Sequence, residues 1–341
     1  MKKTLTLLAL IISFGMNAQI TSVGTSNSGT YSSAIGYQTM ASGDYSTAMG
    51  YATTASQSYC TAMGYATTAS GSTSTATGVN TTASGDGSTA MGNVTIASGN
   101  NSTSMGVSTT ASGTNSTAMG NSTTASGNAS TSMGLSTTAS GNNSTAIGFA
   151  TTASGRRSMA MGVYTSASDY GSLVIGQFNS AGSSVTNGPQ SALVFNAGNT
   201  AFVIGNGTNG SNKSDAFKVM FNGDATVSNN LTVVGDVEVQ SDARLKSNIT
   251  SLGSTISKLL LIDGKSYEMK GKQKIGVLAQ EIKEVFPELV SEDDNKILAV
   301  NYQGLVPVLI NALKEQQSEI NRLKDQEKRI ERLEGLVAQL D

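Results

Sequence analysis

Along the first half of the chain the apolar positions follow a period of fourteen, neither the 3.6 of a helix nor the two of a lone strand. Glycine recurs at positions 36, 50, 64, 78, 92, 106, 120, 134, 148, 162 and 176. A second glycine lies halfway between, at 43, 71, 85, 99, 113, 127, 141 and 155, and only Gln57 and Asp169 break that series. The residue before the first glycine is Met or Ile throughout (Ile35, Met49, Met63 and onward to Ile175), apart from Thr77. Ala41, Ala55, Ala69 and their successors to Ala167 hold another fixed place, and the remaining positions are mostly Ser, Thr, Asn and Ala. Threonine suits strands, while glycine with Asn or Ser at regular spacing suits tight turns. The pattern predicts a coil of two short strands and two turns, stacked once every fourteen residues.

Stacking gives each backbone amide a partner in the coil above or below. One coil cannot bury its Met and Ala alone, so several must stack before any is stable. At a strand spacing of ~4.8 Å, the ten intervals between Gly36 and Gly176 give a rod of ~48 Å. So thin a core predicts that rods associate, in threes. A disordered Ser/Thr/Gly linker has the same composition but no reason to keep Met beside Gly through so many units. Disordered segments are also usually richer in charge. Here the only charges between residues 19 and 176 are Asp44, Asp86, Arg156, Arg157 and Asp169.

A typical unit, residues 121–134, reads NSTTASGNASTSMG. Over residues 31–176 these units resemble the head repeats of trimeric autotransporter adhesins. The resemblance implies a left-handed parallel β-roll within a homotrimer. Those adhesins end in a membrane β-barrel, whereas this chain ends in a charged helical pattern, so their mode of attachment does not carry over.

Beyond residue 176 the strict period lapses. SLVIG (172–176), ALVF (192–195), AFVIG (201–205), FKVMF (217–221) and LTVVGDVEV (231–239) predict strands, with turns at 222–224 and 229–230. Residues 177–240 therefore form a β-rich stalk. The glycines at 205 and 207 lack the Lys-Ser/Thr pair and following helix of a phosphate loop.

Composition narrows the function classes. The chain has no histidine, which removes histidine triads and most zinc sites, and no metal or cofactor is expected. A net charge of -2 gives no footprint for nucleic acid. Cys60 is the single cysteine, so no intrachain disulfide forms, and within a repeat it reads as a small buried hydrophobe. Lys2 and Lys3, the apolar run at 5–16 and Ala18 read as a signal peptide of residues 1–18. That run is too short to span a bilayer, and no later stretch replaces it. The expectation is export to the outside or surface of a bacterium.

At Ser241 charge becomes dense and glycine thins. SDARLKSNI (241–249) is followed by GVLAQEIKEVFPELV (276–290), a strand running into a helix that stops before Pro287. LAVNYQGLVPVLINALKEQ (298–316) reads as a strand and then a helix with one apolar face. Over residues 241–316 these motifs together resemble the intramolecular chaperone domain of phage endosialidase tail spikes. The resemblance implies an α+β domain (241–312) that trimerises, templates the upstream fibre and releases itself by cleavage before the motif's serine. It makes Ser241 the nucleophile, Lys246 its base and the bond between Gln240 and Ser241 the scissile one.

The residues present are compatible with that chemistry. A hydroxyl becomes a useful nucleophile once a base takes its proton, and lysine can do so without histidine. A neutral lysine requires burial or a neighbouring positive charge. Arg244 is a candidate for that charge, or else an anchor of local structure, and Asp242 suits the cap of a following helix. Asn248 completes the motif. The i, i+5 spacing puts Ser241 and Lys246 on no common face of a helix or strand, so a turn or a contact between protomers must join them.

The tail, 313–341, places Leu313, Ile320, Leu323, Ile330, Leu333, Val337 and Leu340 at coiled-coil spacings. The whole reads as a mainly β fibre, a left-handed parallel β-roll over 19–176 with its stalk, then the α+β chaperone ending in a coiled-coil helix. The function this implies is a secreted homotrimeric adhesin-like fibre matured by one self-cleavage. The alternatives are an uncleaved phage-derived tail fibre and a glycan hydrolase passenger, the latter disfavoured because the repeats hold almost no carboxylates. The partner of the fibre would be a host surface or a glycan.

Overall fold

A computed structural model describes residues 22–180, 191–293 and 296–339, so the predicted signal peptide and Leu340 lie outside the described residues. The chain divides into two compact units, Met1–Val234 and Gly235–Asp341.

The first unit is a parallel β-solenoid. Each fourteen-residue coil contributes one five-residue strand, such as Thr117–Asn121, and one two-residue strand, such as Thr124–Ala125. Every strand pairs in parallel with its equivalent fourteen residues on, so Met119 lies beside Met105 and Met133 and Gly120 beside Gly106 and Gly134. The short strands build an 11-stranded sheet and the long ones a 14-stranded sheet that continues past the repeats. Both turns of the coil are held by the coil before: the N–H of Ser122 donates to Val107 O at 2.9 Å, and that of Ala129 to Thr114 O at 2.8 Å.

Only small side chains fit inside. Ala111, Ala118 and Ala125 are fully buried, as are Thr123 and, at 1% exposure, Ser116 and Ser130. Where Ser104 and Ser132 replace the inner alanine, their hydroxyls pair with Thr109 and Thr137 at 2.7 Å. Methionine does not share this core. Strand alternation turns Thr117, Met119 and Asn121 away from it, and Met49, Met63, Met91, Met133 and Met161 each keep 36–41% of their surface exposed.

The two glycine series answer to close approach between coils. A Cβ on Gly120 would lie 2.0 Å from Gly134 O, at a φ of +124° that side chains avoid. A Cβ on Gly127 would lie 2.1 Å from Gly141 O. The left-handed turn residues themselves are mostly not glycine, as at Asn115 (φ 57°) and Ser122 (φ 54°).

After the last coil, Thr200–Asn206 pairs in parallel with Leu173–Gln177, then antiparallel with Asp215–Met220, which in turn pairs with Ala225–Val227. Asp169, which breaks the glycine series, is buried and accepts the N–H of Thr200 at 2.8 Å. Two predicted strands do not form. Residues 192–195 make a turn pinned by Asn199, whose Nδ2 donates to Ser191 O and Val194 O. Residues 231–239 are exposed and irregular, with a bend at 234–235 and no partner strand, and a strand needs a neighbour for its amides.

The second unit has a small core of Ile282, Phe286 and Val308, ringed by Leu259, Val277, Leu289 and Val300 among others. A short helix Ile256–Leu259 leads to the hairpin Lys265–Met269 and Lys272–Gly276, the helix Ala279–Val285 and the short pair Val290–Glu292 and Leu298–Val300. One continuous helix, Leu305–Val337, follows, with Pro307 in its first turn where no N–H is needed. From residue 316 to 337 every side chain of it is exposed, including Ile320, Leu323, Ile330 and Leu333.

Candidate active site

The predicted dyad lies near the start of the second unit. Asp242 caps a single 3-10 turn, Ala243–Leu245, its Oδ1 accepting the N–H of Arg244 at 2.8 Å. That turn is the device the i, i+5 spacing required. It folds Lys246 back so that Nζ lies 2.6 Å from Ser241 Oγ, within one chain.

Arg244 pairs with Asp242. Its Nε reaches both oxygens of Asp242 at 3.1 Å and a terminal nitrogen donates to Oδ2 at 2.6 Å. This hydrogen bonding holds the Asp242 carboxyl below its usual range and raises Arg244 further. The fork therefore fixes the turn, and its charge is matched by Asp242. Asn248 sits at φ 53°, a left-handed position that asparagine tolerates better than most residues. Gln240, Ser241, Asp242, Arg244 and Leu245 line a cleft of about 550 Å³. All residues from 240 to 248 are exposed in the single chain, Lys246 included.

Sequence reasoning missed Glu315. This carboxylate on the long helix accepts from Ser254 Oγ at 2.7 Å and from the N–H of Thr255 at 2.6 Å. Thr255 Oγ1 also donates to Val308 O at 3.1 Å. The clamp joins positions sixty residues apart and leaves no local signal. Among the described residues no group of three or more His, Cys, Asp or Glu is placed to hold a metal ion, and no helix is long and apolar enough to cross a membrane. Cys60 is buried in the slot that Ser46 and Ser74 fill in the adjacent coils, its Sγ donating to Gln57 O.

Comparison with known proteins matches both units. A family model described as the chaperone of endosialidase covers residues 241–291, beginning at Ser241 itself. The YadA head domain repeat matches in overlapping and successive copies between residues 28 and 179. The long tail fiber protein Gp37 of Escherichia phage AR1 is 35% identical over 96 residues, 25% of this chain and 9% of that protein. Its counterpart from Enterobacteria phage K3 is 32% identical over 96 residues, 25% of this chain and 8% of its own length. The chain thus spans less than a tenth of the tail-fibre relatives it matches. The chain is similar to the YadA head domain repeat over much of its first unit and to the chaperone of endosialidase in its second.

Proposed function

We propose that the chain is an exported, homotrimeric surface fibre whose second unit is a trimerisation and folding chaperone that releases itself by a single cleavage between Gln240 and Ser241. The observation that carries this reading is the 2.6 Å contact between Lys246 Nζ and Ser241 Oγ at the first residue of the endosialidase-chaperone match. In its neutral form Lys246 takes the hydroxyl proton, and Oγ attacks the carbonyl carbon of Gln240. The C–N bond breaks as the Ser241 nitrogen leaves with a proton, and Gln240 is held as an ester on Oγ. Water then hydrolyses the ester, freeing the Gln240 carboxylate and restoring the hydroxyl. No cofactor enters the balance.

Homotrimer formation is supported by two apolar surfaces that the single chain leaves open: the outward Met rows of the solenoid and the stripe of Ile320, Leu323, Ile330 and Leu333 on the long helix. The uncharged Ser, Thr and Asn turns would face a host surface or a glycan. A second reading, an uncleaved phage-derived tail-fibre-like protein, is favoured by the Gp37 matches and keeps the second unit as a permanent cap. Terminal sequencing of the purified full chain separates the two. A small fragment starting at Ser241 supports release, and one intact chain supports the cap.

A further inference from the structure

The Met row on the outward face of the long-strand sheet is close to identical from coil to coil, which creates a problem of alignment. Copies of a chain with a fourteen-residue repeat could pair one coil out of step and still bury Met against Met. From Ser33–Tyr37 to Met159–Val163, the Met row and the row beside it carry Thr or Asn in place of an apolar or aromatic residue at three places. Thr77 stands in the Met row between Met63 and Met91. In the next outward row Asn93 and Asn121 stand where adjacent coils carry Val79, Val107 and Leu135. All are outward by strand alternation, and both asparagines are exposed in the single chain.

We infer that Thr77, Asn93 and Asn121 are register keys for the association of this face with further copies of the same chain. The inference rests on the homotrimer reading above. A second copy is the occupant that the face fits. None of the five-residue strands of the repeats, Ser33–Tyr37 to Leu173–Gln177, carries a charged residue, so identical surfaces meet without like charges opposed. In register each asparagine lies level with its own copies, and amides can pair with amides. One coil out of register, each lies against Val or Leu, and a buried amide without a partner is costly. A slip of two coils matches Asn93 to Asn121 but strands the other two, and it sets Thr77 against Met. A single polar residue in an otherwise apolar seam fixes register in coiled coils by the same logic.

The test moves one key. In the full chain, Asn93→Val with Val107→Asn keeps composition and gives a face that matches itself but not the natural one. A Thr114→Lys marker, at the turn position that Arg156 fills in another coil, lets ion exchange resolve trimers by the number of marked chains. Co-expressed in equal amounts, natural chains and chains carrying the marker alone should give four species near 1:3:3:1. With the key moved as well, the mixed species should fall at least fivefold. Unchanged mixing would overturn the inference while leaving the trimer intact. Only two species in the marker control would mean no association and would remove the homotrimer reading as well. If the moved-key chain does not fold, Thr77→Met with the marker, which extends an existing Met row, gives the same readout.

Discussion

Ser241 and Lys246, five residues apart, are brought to 2.6 Å by one 3-10 turn whose cap, Asp242, is itself held by Arg244. Four of the first six residues of the second unit's motif thus build one object, a nucleophile and a base joined by a braced turn. The brace predicts a graded result. Asp242→Ala removes the cap and the partner of Arg244, and should slow self-cleavage by tenfold or more without abolishing it. The fragment yield over time, compared with that of the natural chain, measures the effect. A rate unchanged by Asp242→Ala would mean that the turn forms without its cap.

The solenoid predicts opposite outcomes for two neighbouring positions. Gly120→Ala sets a methyl within 2.0 Å of a backbone oxygen at positive φ, so it should destabilise the rod by about 2 kcal/mol or more. Ser122→Gly relieves a left-handed residue and should change stability by less than about 1 kcal/mol. Urea unfolding followed by the β signal in circular dichroism distinguishes them.

Cys60 predicts inertness. Burial pushes its thiol pKa up, and the thiolate is the reactive form. Thiol reagents should modify it quickly only in denaturant. Because serine fills its slot in adjacent coils, Cys60→Ser should cost about 1 kcal/mol or less.

Glu315 predicts acid sensitivity of the second unit. The Ser254 hydroxyl, then the Thr255 N–H, hold its carboxyl below the ordinary glutamate value. A lowered folded pKa contributes stability above the unfolded value of about 4.3, and that contribution is lost as pH falls through the lowered value. Helix melting at 222 nm should therefore weaken as the pH drops below about 4.3. Glu315→Gln should lower the melting temperature at neutral pH and flatten the acid dependence.

Much of this was legible because a repeat reports its own register. The Met-Gly beat and the Ala series gave the coil length and the two strands per coil. The beat could not say which side of the strand each residue faced, so Met was grouped with the alanine core that in fact excludes it. Nor could it separate turn glycines from glycines of close approach, since both demand a missing Cβ. Residues 192–195 and 231–239 carry strand-like composition, yet a strand is a relation to a neighbour, and the single chain supplies none. In the second unit the motif pointed to Ser241 and Lys246, while the distance that joins them required the turn to be built. Glu315 was invisible for the opposite reason, since its partners lie sixty residues away in sequence.

The central claim is tested most directly by the intact mass of the purified full chain beside Ser241→Ala and Lys246→Ala. The account predicts two fragments from the natural chain, their masses meeting between Gln240 and Ser241, and one uncut chain from each variant. A natural chain that stays whole, or a cut that persists in Ser241→Ala, would contradict it.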